Sequence, residues 1–245
     1  MNQTILIYDL DDTLVDTSEV YYFARKNFLN ILKQQNFSIE QALDVFENID
    51  THNVEIYGHK PERYKISMLQ TYETLCKKSH ITKSEIITNA IDVCGNIITE
   101  KMPELISDAE KLLKWGKKRY RQVLFTRGSE SLQTQKIKYA GLSDFFDVIK
   151  IVEIKNTNVL CSFLKEIRAN SQDCWIIGDS IKSDINPAIE LGINCILYLY
   201  EHHSYFWQQE YGHEAKGEFY CVKKLLKIQD IIECPENFKK ISILV

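Results

Sequence analysis

Ile5-Leu6-Ile7-Tyr8-Asp9-Leu10-Asp11-Asp12-Thr13 joins an unbroken apolar run to a burst of carboxylates. Four consecutive apolar residues, two of them β-branched, predict a short strand buried on both faces, as in a parallel sheet covered by helices. A strand that stops at an acidic, hydroxyl-bearing turn sets that turn at the carboxyl edge of the sheet. Open α/β sheets hold their ligands there.

Similar apolar runs recur at 122–125, 147–151, 174–177 and 194–198, and each reads as a further buried strand. Helical spacing fills the stretches between. The segment 103–118 sets Leu105, Ala109, Leu112 and Leu113 on one stripe, and 129–140 and 157–169 are spaced alike. Gly141 and Gly192 stand where helices should stop. Strands alternating with helices predict an α/β, doubly wound parallel sheet of Rossmann-like type.

One region breaks the alternation. From the first strand to Pro103 only amphipathic helices are legible, at 18–35, 38–49, 61–77 and 82–99. Ser38 with Gln41 and Thr82 with Glu85 have the spacing of capping boxes. The expected organisation is therefore a helical domain of roughly 80 residues, 18–100, inserted into a core made of 1–17 and 101–245.

Composition narrows the function classes. The 245 residues are 44% hydrophobic and 26% charged, with a net charge of -4 and no basic block, so a nucleic-acid partner is not expected. No apolar run reaches the roughly 18 residues of a membrane span. The first strand begins at Ile5, leaving no room for a signal peptide. Seven cysteines at irregular spacing form no CxxC pair, which suits buried free thiols in a reducing compartment. The cytoplasm is the expected location. Oligomeric state is not legible.

The chemistry gathers at the strand ends. The first runs into Asp9 and Asp11, the second ends at Thr126-Arg127-Gly128, and the fourth ends at Gly178-Asp179-Ser180 with Asp184 following. Lys155 precedes a predicted helix. Carboxylates crowded together raise one another's pKa unless a cation intervenes. An all-oxygen donor set suits Mg²⁺, and the absence of His and Cys from these motifs disfavours zinc. Asp9 and Asp11 can share the work, one attacking phosphorus while the other moves protons.

In their order and spacing, Asp9-x-Asp11-x-Thr13, Thr126, Lys155 and Gly178-Asp179-Ser180-x-x-x-Asp184 resemble the four motifs of the haloacid dehalogenase-like hydrolases. The likeness spans residues 5 to 192, and the inserted helices resemble that family's helical cap. It implies that Asp9 is the nucleophile, Asp11 the general acid/base, and Thr126 and Lys155 the binders of phosphate. It also implies that Asp179, with Asp9 and the Asp11 carbonyl, binds Mg²⁺, and that Asp184 supports the metal site. Members that cleave carbon–halogen bonds lack the second aspartate, so Asp11 points to phosphate esters. Arg127 departs from the Asn often found there. It is a candidate phosphate binder or a plain surface charge.

The expected function is Mg²⁺-dependent hydrolysis of a small phosphate monoester (phosphoglycolate, a nucleotide or a sugar phosphate) through an aspartyl-phosphate. The alternatives are a phosphomutase of the β-phosphoglucomutase type and a non-catalytic binding protein on the same scaffold. Other polar features read as structural. Lys150 lies inside a strand, while His52, His59, Lys60 and Arg63 fall in 51–63, read as a loop between helices. His202 and His203 read as a loop, and Tyr205, Phe206, Trp207 and Tyr211 as a packing face.

Overall fold

A computed structural model describes residues 3–199 and 214–242. The chain divides into two compact units, one of Met1–Thr17 with Pro103–Val245, the other of Ser18–Met102. The stretch containing His202, His203, Tyr205, Phe206, Trp207 and Tyr211 lies outside the described residues. Among the described residues no helix is long and apolar enough to cross a membrane.

The first unit is built on six parallel strands in the order β3-β2-β1-β4-β5-β6. They are β1 (Ile5–Tyr8), β2 (Arg121–Arg127), β3 (Val148–Val152), β4 (Cys174–Gly178), β5 (Asn194–Tyr198) and β6 (Tyr220–Val222). Ile7 sits in register with Val123 on one side and Ile176 on the other. Alternate residues feed two apolar layers. Leu6 and Tyr8 join Leu112 and Leu113 of α5 (Ala109–Lys117), Ile137 of α6 (Glu130–Tyr139) and Ile228 of α9 (Lys227–Glu233). Ile5 and Ile7 join Leu160 and Phe163 of α7 (Thr157–Glu166) and Ala188 of α8 (Asn186–Glu190). With both faces covered, nearly every strand residue can be apolar. The chain builds outward from β1 to β2 and β3, then returns to place β4 on its other side. The strand order thus reverses direction at β1, the place where open sheets of this kind hold their ligands.

The second unit holds α1 (Thr17–Gln34, whose first residue belongs to the sheet unit), α2 (Ile39–Tyr57), α3 (Pro61–Lys78) and α4 (Glu85–Glu100). Phe28, Phe46 and Tyr64 are fully buried at its centre, with ring centroids 5.7 Å and 5.2 Å apart in sequence. The close approach of α3 and α4 depends on Gly95. A Cβ there would come within 2.7 Å of the Lys65 Cα.

Four local expectations are corrected. Helix α2 does not stop at residue 49 but runs through His52 to Tyr57, and Arg63 belongs to α3, so most of 51–63 is not loop. Asn53 makes the extension stable: its side chain faces inward and donates to Ser67 Oγ at 3.0 Å and Gln70 Oε1 at 2.8 Å. Ser38 does cap α2, accepting from Gln41 N–H at 3.4 Å. Thr82 caps nothing, because α4 starts at Glu85 after the Ser84 N–H donates to the Tyr72 hydroxyl at 3.0 Å. Finally, α5 starts at Ala109 rather than 103. Residues before it pair instead with the β1 loop, Ile106 N–H donating to Leu14 C=O at 2.9 Å.

Candidate active site

The turn after β1 is wound around one carbonyl. Leu10 C=O accepts from the N–H groups of Leu14 at 2.9 Å and Val15 at 3.1 Å. Leu10, Leu14 and Val15 are fully buried, so the curl is pinned from below. It closes through Asp12, whose φ of 55° is one that Asp tolerates better than bulkier residues. Asp9 continues the sheet, its N–H donating to Ile177 C=O at 2.9 Å. Asp11, two residues on, turns toward α6.

The two carboxylates end in different settings. Asp9 is 8% exposed and accepts from Lys155 Nζ at 2.5 Å. The same ammonium reaches Asp184 Oδ1 at 2.7 Å. Burial pushes the Asp9 carboxyl up. Lys155 opposes that, Asp184 and Asp11 add to it, and the result is about 7. Burial by itself would pull Lys155 down, but Asp184 and Asp9 outweigh it and hold the ammonium charged. Asp11 is likewise pushed up by burial, yet Lys136 at 2.7 Å, the Thr17 hydroxyl and Gln133 at 2.8 Å together bring it below its ordinary value.

Asp184 sits on a π-helical turn, Ile181–Ile185, that follows β4. The turn folds its carboxylate back over Gly178, where a Cβ would meet the Asp184 Cγ at 2.4 Å. Glycine before Asp179 is therefore a steric requirement. Asp184 Oδ2 then accepts from Ser180 N–H at 3.2 Å. As a result Asp9, half-buried Asp179 and Asp184 each bring one carboxylate oxygen within 4.8 Å of the others. Three hard oxygens at that spacing, one of them from a carboxyl raised by burial and then by Asp184 and Asp11, fit a divalent cation.

A family model described as haloacid dehalogenase-like hydrolase matches residues 6–198. The chain belongs to that family. Among its relatives, glyceraldehyde 3-phosphate phosphatase of Methanocaldococcus jannaschii is 25% identical over 96% of this chain and 98% of its own length. The Pyrococcus furiosus protein of the same name is 22% identical over 94% and 92%. A haloacid dehalogenase-like hydrolase structure from Xanthomonas campestris superposes with a TM-score of 0.74 at 20% identity, covering 96% of this chain and 95% of its own. A family hydrolase from Bacillus subtilis, solved bound to magnesium, gives 0.65 at 16% identity, covering 95% and 99%. At those identities the two structures speak for the fold.

The haloacid dehalogenase-like motifs converge on one sheet edge of this chain. Asp9, Asp11, Thr126, Lys155, Asp179 and Asp184 all lie at or just beyond the carboxyl ends of β1 to β4. Thr126 is fully buried and its Oγ1 accepts from Gln133 Nε2 at 2.8 Å. Arg127 reaches across the edge, its Nη1 3.5 Å from Ser183 Oγ. Lys150 does not join them. It pairs with Glu166 at 2.6 Å, away from the carboxylates. Sequence reading missed Thr17, Gln133 and Lys136, the three residues that hold Asp11. The one trace they leave is the three-residue spacing of Gln133 and Lys136, which sets both on one face of α6.

Proposed function

We propose that this chain is a magnesium-dependent phosphatase of small phosphate monoesters, with a sugar phosphate of the glyceraldehyde 3-phosphate type as substrate. Relatives bearing that enzyme's name match along nearly their whole length, which supports the substrate class. The observation that carries the chemistry is the different treatment of two carboxylates one turn apart. Asp9 shares Lys155 with Asp184 next to the metal-type cluster, and Asp11 is held apart by Lys136.

In the first step an Asp9 oxygen attacks phosphorus, the bond to the leaving oxygen breaks, and Asp11 gives that oxygen a proton. In the second, Asp11 takes a proton from water, the hydroxide oxygen attacks phosphorus, and the bond to Asp9 breaks. Inorganic phosphate leaves, Asp9 is again a carboxylate, and Asp11 again carries the proton it gave up in the first step. Thr126, Lys155 and Arg127 would bind the phosphoryl oxygens. Asp9, Asp179 and Asp184, with the Asp11 main-chain carbonyl, would hold Mg²⁺, which when bound offsets the negative charge of substrate and carboxylates.

On this reading 1–17 and 101–245 form the catalytic core and 18–100 the cap. The net charge of -4 gives nucleic acid no foothold. Free, mostly buried thiols favour the cytoplasm. The test is phosphate release from glyceraldehyde 3-phosphate with Mg²⁺, and acid trapping of a hydroxylamine-labile phosphoenzyme. Wild type should form it and Asp9→Asn should not. A labelled Asp9→Asn protein would remove the nucleophile assignment.

A further inference from the structure

Four polar contacts converge on the face of α6 that meets the β1 and β2 ends. Lys136 Nζ donates to Asp11 Oδ1 at 2.7 Å, and the two hydrogens of Gln133 Nε2 go to Asp11 Oδ2 and Thr126 Oγ1, each at 2.8 Å, with Arg127 C=O a longer neighbour at 3.2 Å. Both side chains are buried, Gln133 at 2% exposure and Lys136 at 6%. Polar and charged side chains are rarely buried so deeply without a task or a partner. Here the partner is a residue the family motifs place in the chemistry. The amide orientation is fixed by its surroundings: a carboxylate and a main-chain carbonyl can only accept, so nitrogen must face them.

We infer that Gln133 and Lys136 are positioning residues that leave Asp11 a single atom, Oδ2, from which to exchange a proton with substrate. This rests on the proposed phosphatase reading. An ionised carboxylate has about four acceptor sites, two per oxygen. Thr17 and Lys136 both donate to Oδ1. Gln133 takes one site on Oδ2, and one site there remains. The proton given to the leaving oxygen therefore departs from Oδ2, and the one taken from water arrives there. Gln133 has a second effect. Its hydrogen bond into Thr126 Oγ1 uses that oxygen as acceptor, so the threonine hydrogen cannot be spent on the amide and is left to donate to a phosphoryl oxygen. One amide thus sets the aim of both the proton carrier and a phosphate donor.

The experiment compares two aryl esters with the Mg²⁺-loaded protein, each variant being read against the wild type on the same ester. Phenyl phosphate has a leaving phenol that needs its proton, and 2,4-dinitrophenyl phosphate has a leaving group that departs without one. The readout is kcat/KM, which covers only steps up to formation of the phosphoenzyme. Lys136→Met should lose on the order of 100-fold on phenyl phosphate, the scale of general acid catalysis, and only a few-fold on the dinitrophenyl ester. Lys136→Arg should restore most of the difference between the esters. Gln133→Met should lose on phenyl phosphate preferentially and also raise KM for both esters, through Thr126. It serves as the independent variant should Lys136→Met fail to fold. Equal losses on the two esters, or none, overturn the positioning role while leaving the phosphatase reading intact. Absence of turnover of either ester by the wild type overturns both.

Discussion

Each unit of the molecule buries a cluster of charges, and the two are built differently. Inside the helical unit, Asp50 of α2 faces Arg63 of α3, an ion pair at 0% and 3% side-chain exposure. Ser67 donates to the same Asp50 oxygen at 2.5 Å. Here the Asp50 carboxylate meets a guanidinium of opposite charge. Arg63 lies in the first turn of α3, where the helix dipole disfavours a cation. Asp50 is a sufficient reason for it to be there. At the sheet edge Lys155 is shared by Asp9 and Asp184, Lys136 pairs with Asp11, and Asp179 brings a further carboxylate oxygen within 4.8 Å of those of Asp9 and Asp184. Burial raises the carboxyls of both Asp50 and Asp9, but only at Asp9 do like charges add to it. An ion pair buried between two helices closes an interface. Carboxylates that the fold holds against one another make a site for a cation.

If that distinction is right, variants should separate function from stability. The largest effect is expected for Asp9→Asn, whose Mg²⁺-dependent turnover of aryl phosphate should fall on the order of 10⁴-fold or more, as when other covalent nucleophiles are removed. Its fold should survive, as read by a circular dichroism spectrum matching wild type. Turnover within tenfold of wild type would place the sheet-edge cluster among structural ion networks.

The converse variant is Arg63→Met. Removing one member of a buried pair strands the other, which costs about 3–5 kcal/mol. Denaturant unfolding should record that loss, and Asp50→Leu combined with Arg63→Met should recover most of it. A loss under about 1 kcal/mol would mean that Asp50 does not depend on Arg63, and the contrast between the units would fail.

The two clusters also differ in how far the sequence reveals them. Asp9, Thr126 and Asp179 are legible because each stands where an apolar run ends, and a strand end fixes where a side chain goes; Asp11 and Asp184 are legible by their spacing from Asp9 and Asp179. Lys155 is legible by its place before α7. Gln133 and Lys136 are not, since polar residues at helical spacing look like a solvated face until α6 is laid against the β1 turn. Asp50, Asn53 and Arg63 mislead for the same reason. The polar stretch 51–63, with His52, His59, Lys60 and Arg63, reads as a loop, whereas facing polar groups of α3 accept from Asn53 and let α2 continue. The three-residue β6 is too short to carry a pattern, and it persists because its backbone pairs with β5.

Addition of Mg²⁺ sharpens the contrast further. A ligand that binds only the folded state stabilises by about 2.7 kcal/mol at a hundred times its Kd. Wild type should gain on that scale, read as a rise in melting temperature with Mg²⁺. Asp179→Asn should gain much less, and Arg63→Met should gain as much as wild type from its lower start. An equal rise in Asp179→Asn would show the ion binding elsewhere.

The smallest effect concerns metal-free protein and turns on sign. The folded-state pKa of Asp9, about 7, lies above the ordinary value of 3.8. The folded form therefore holds a proton that the unfolded chain has already released. This contribution favours folding below pH 4 and is lost as pH rises through 7. Asparagine cannot ionise, so without metal Asp9→Asn should exceed wild type in stability at pH 8. The gain should be on the order of 1 kcal/mol, less than the full shift implies, since Lys155 also loses a partner. Near pH 4 the two should converge. With Mg²⁺ the order should reverse, because the wild type regains a counterion and the variant lacks a ligand. Parallel stability curves across that range would mean that the crowding of carboxylates does not strain the empty site.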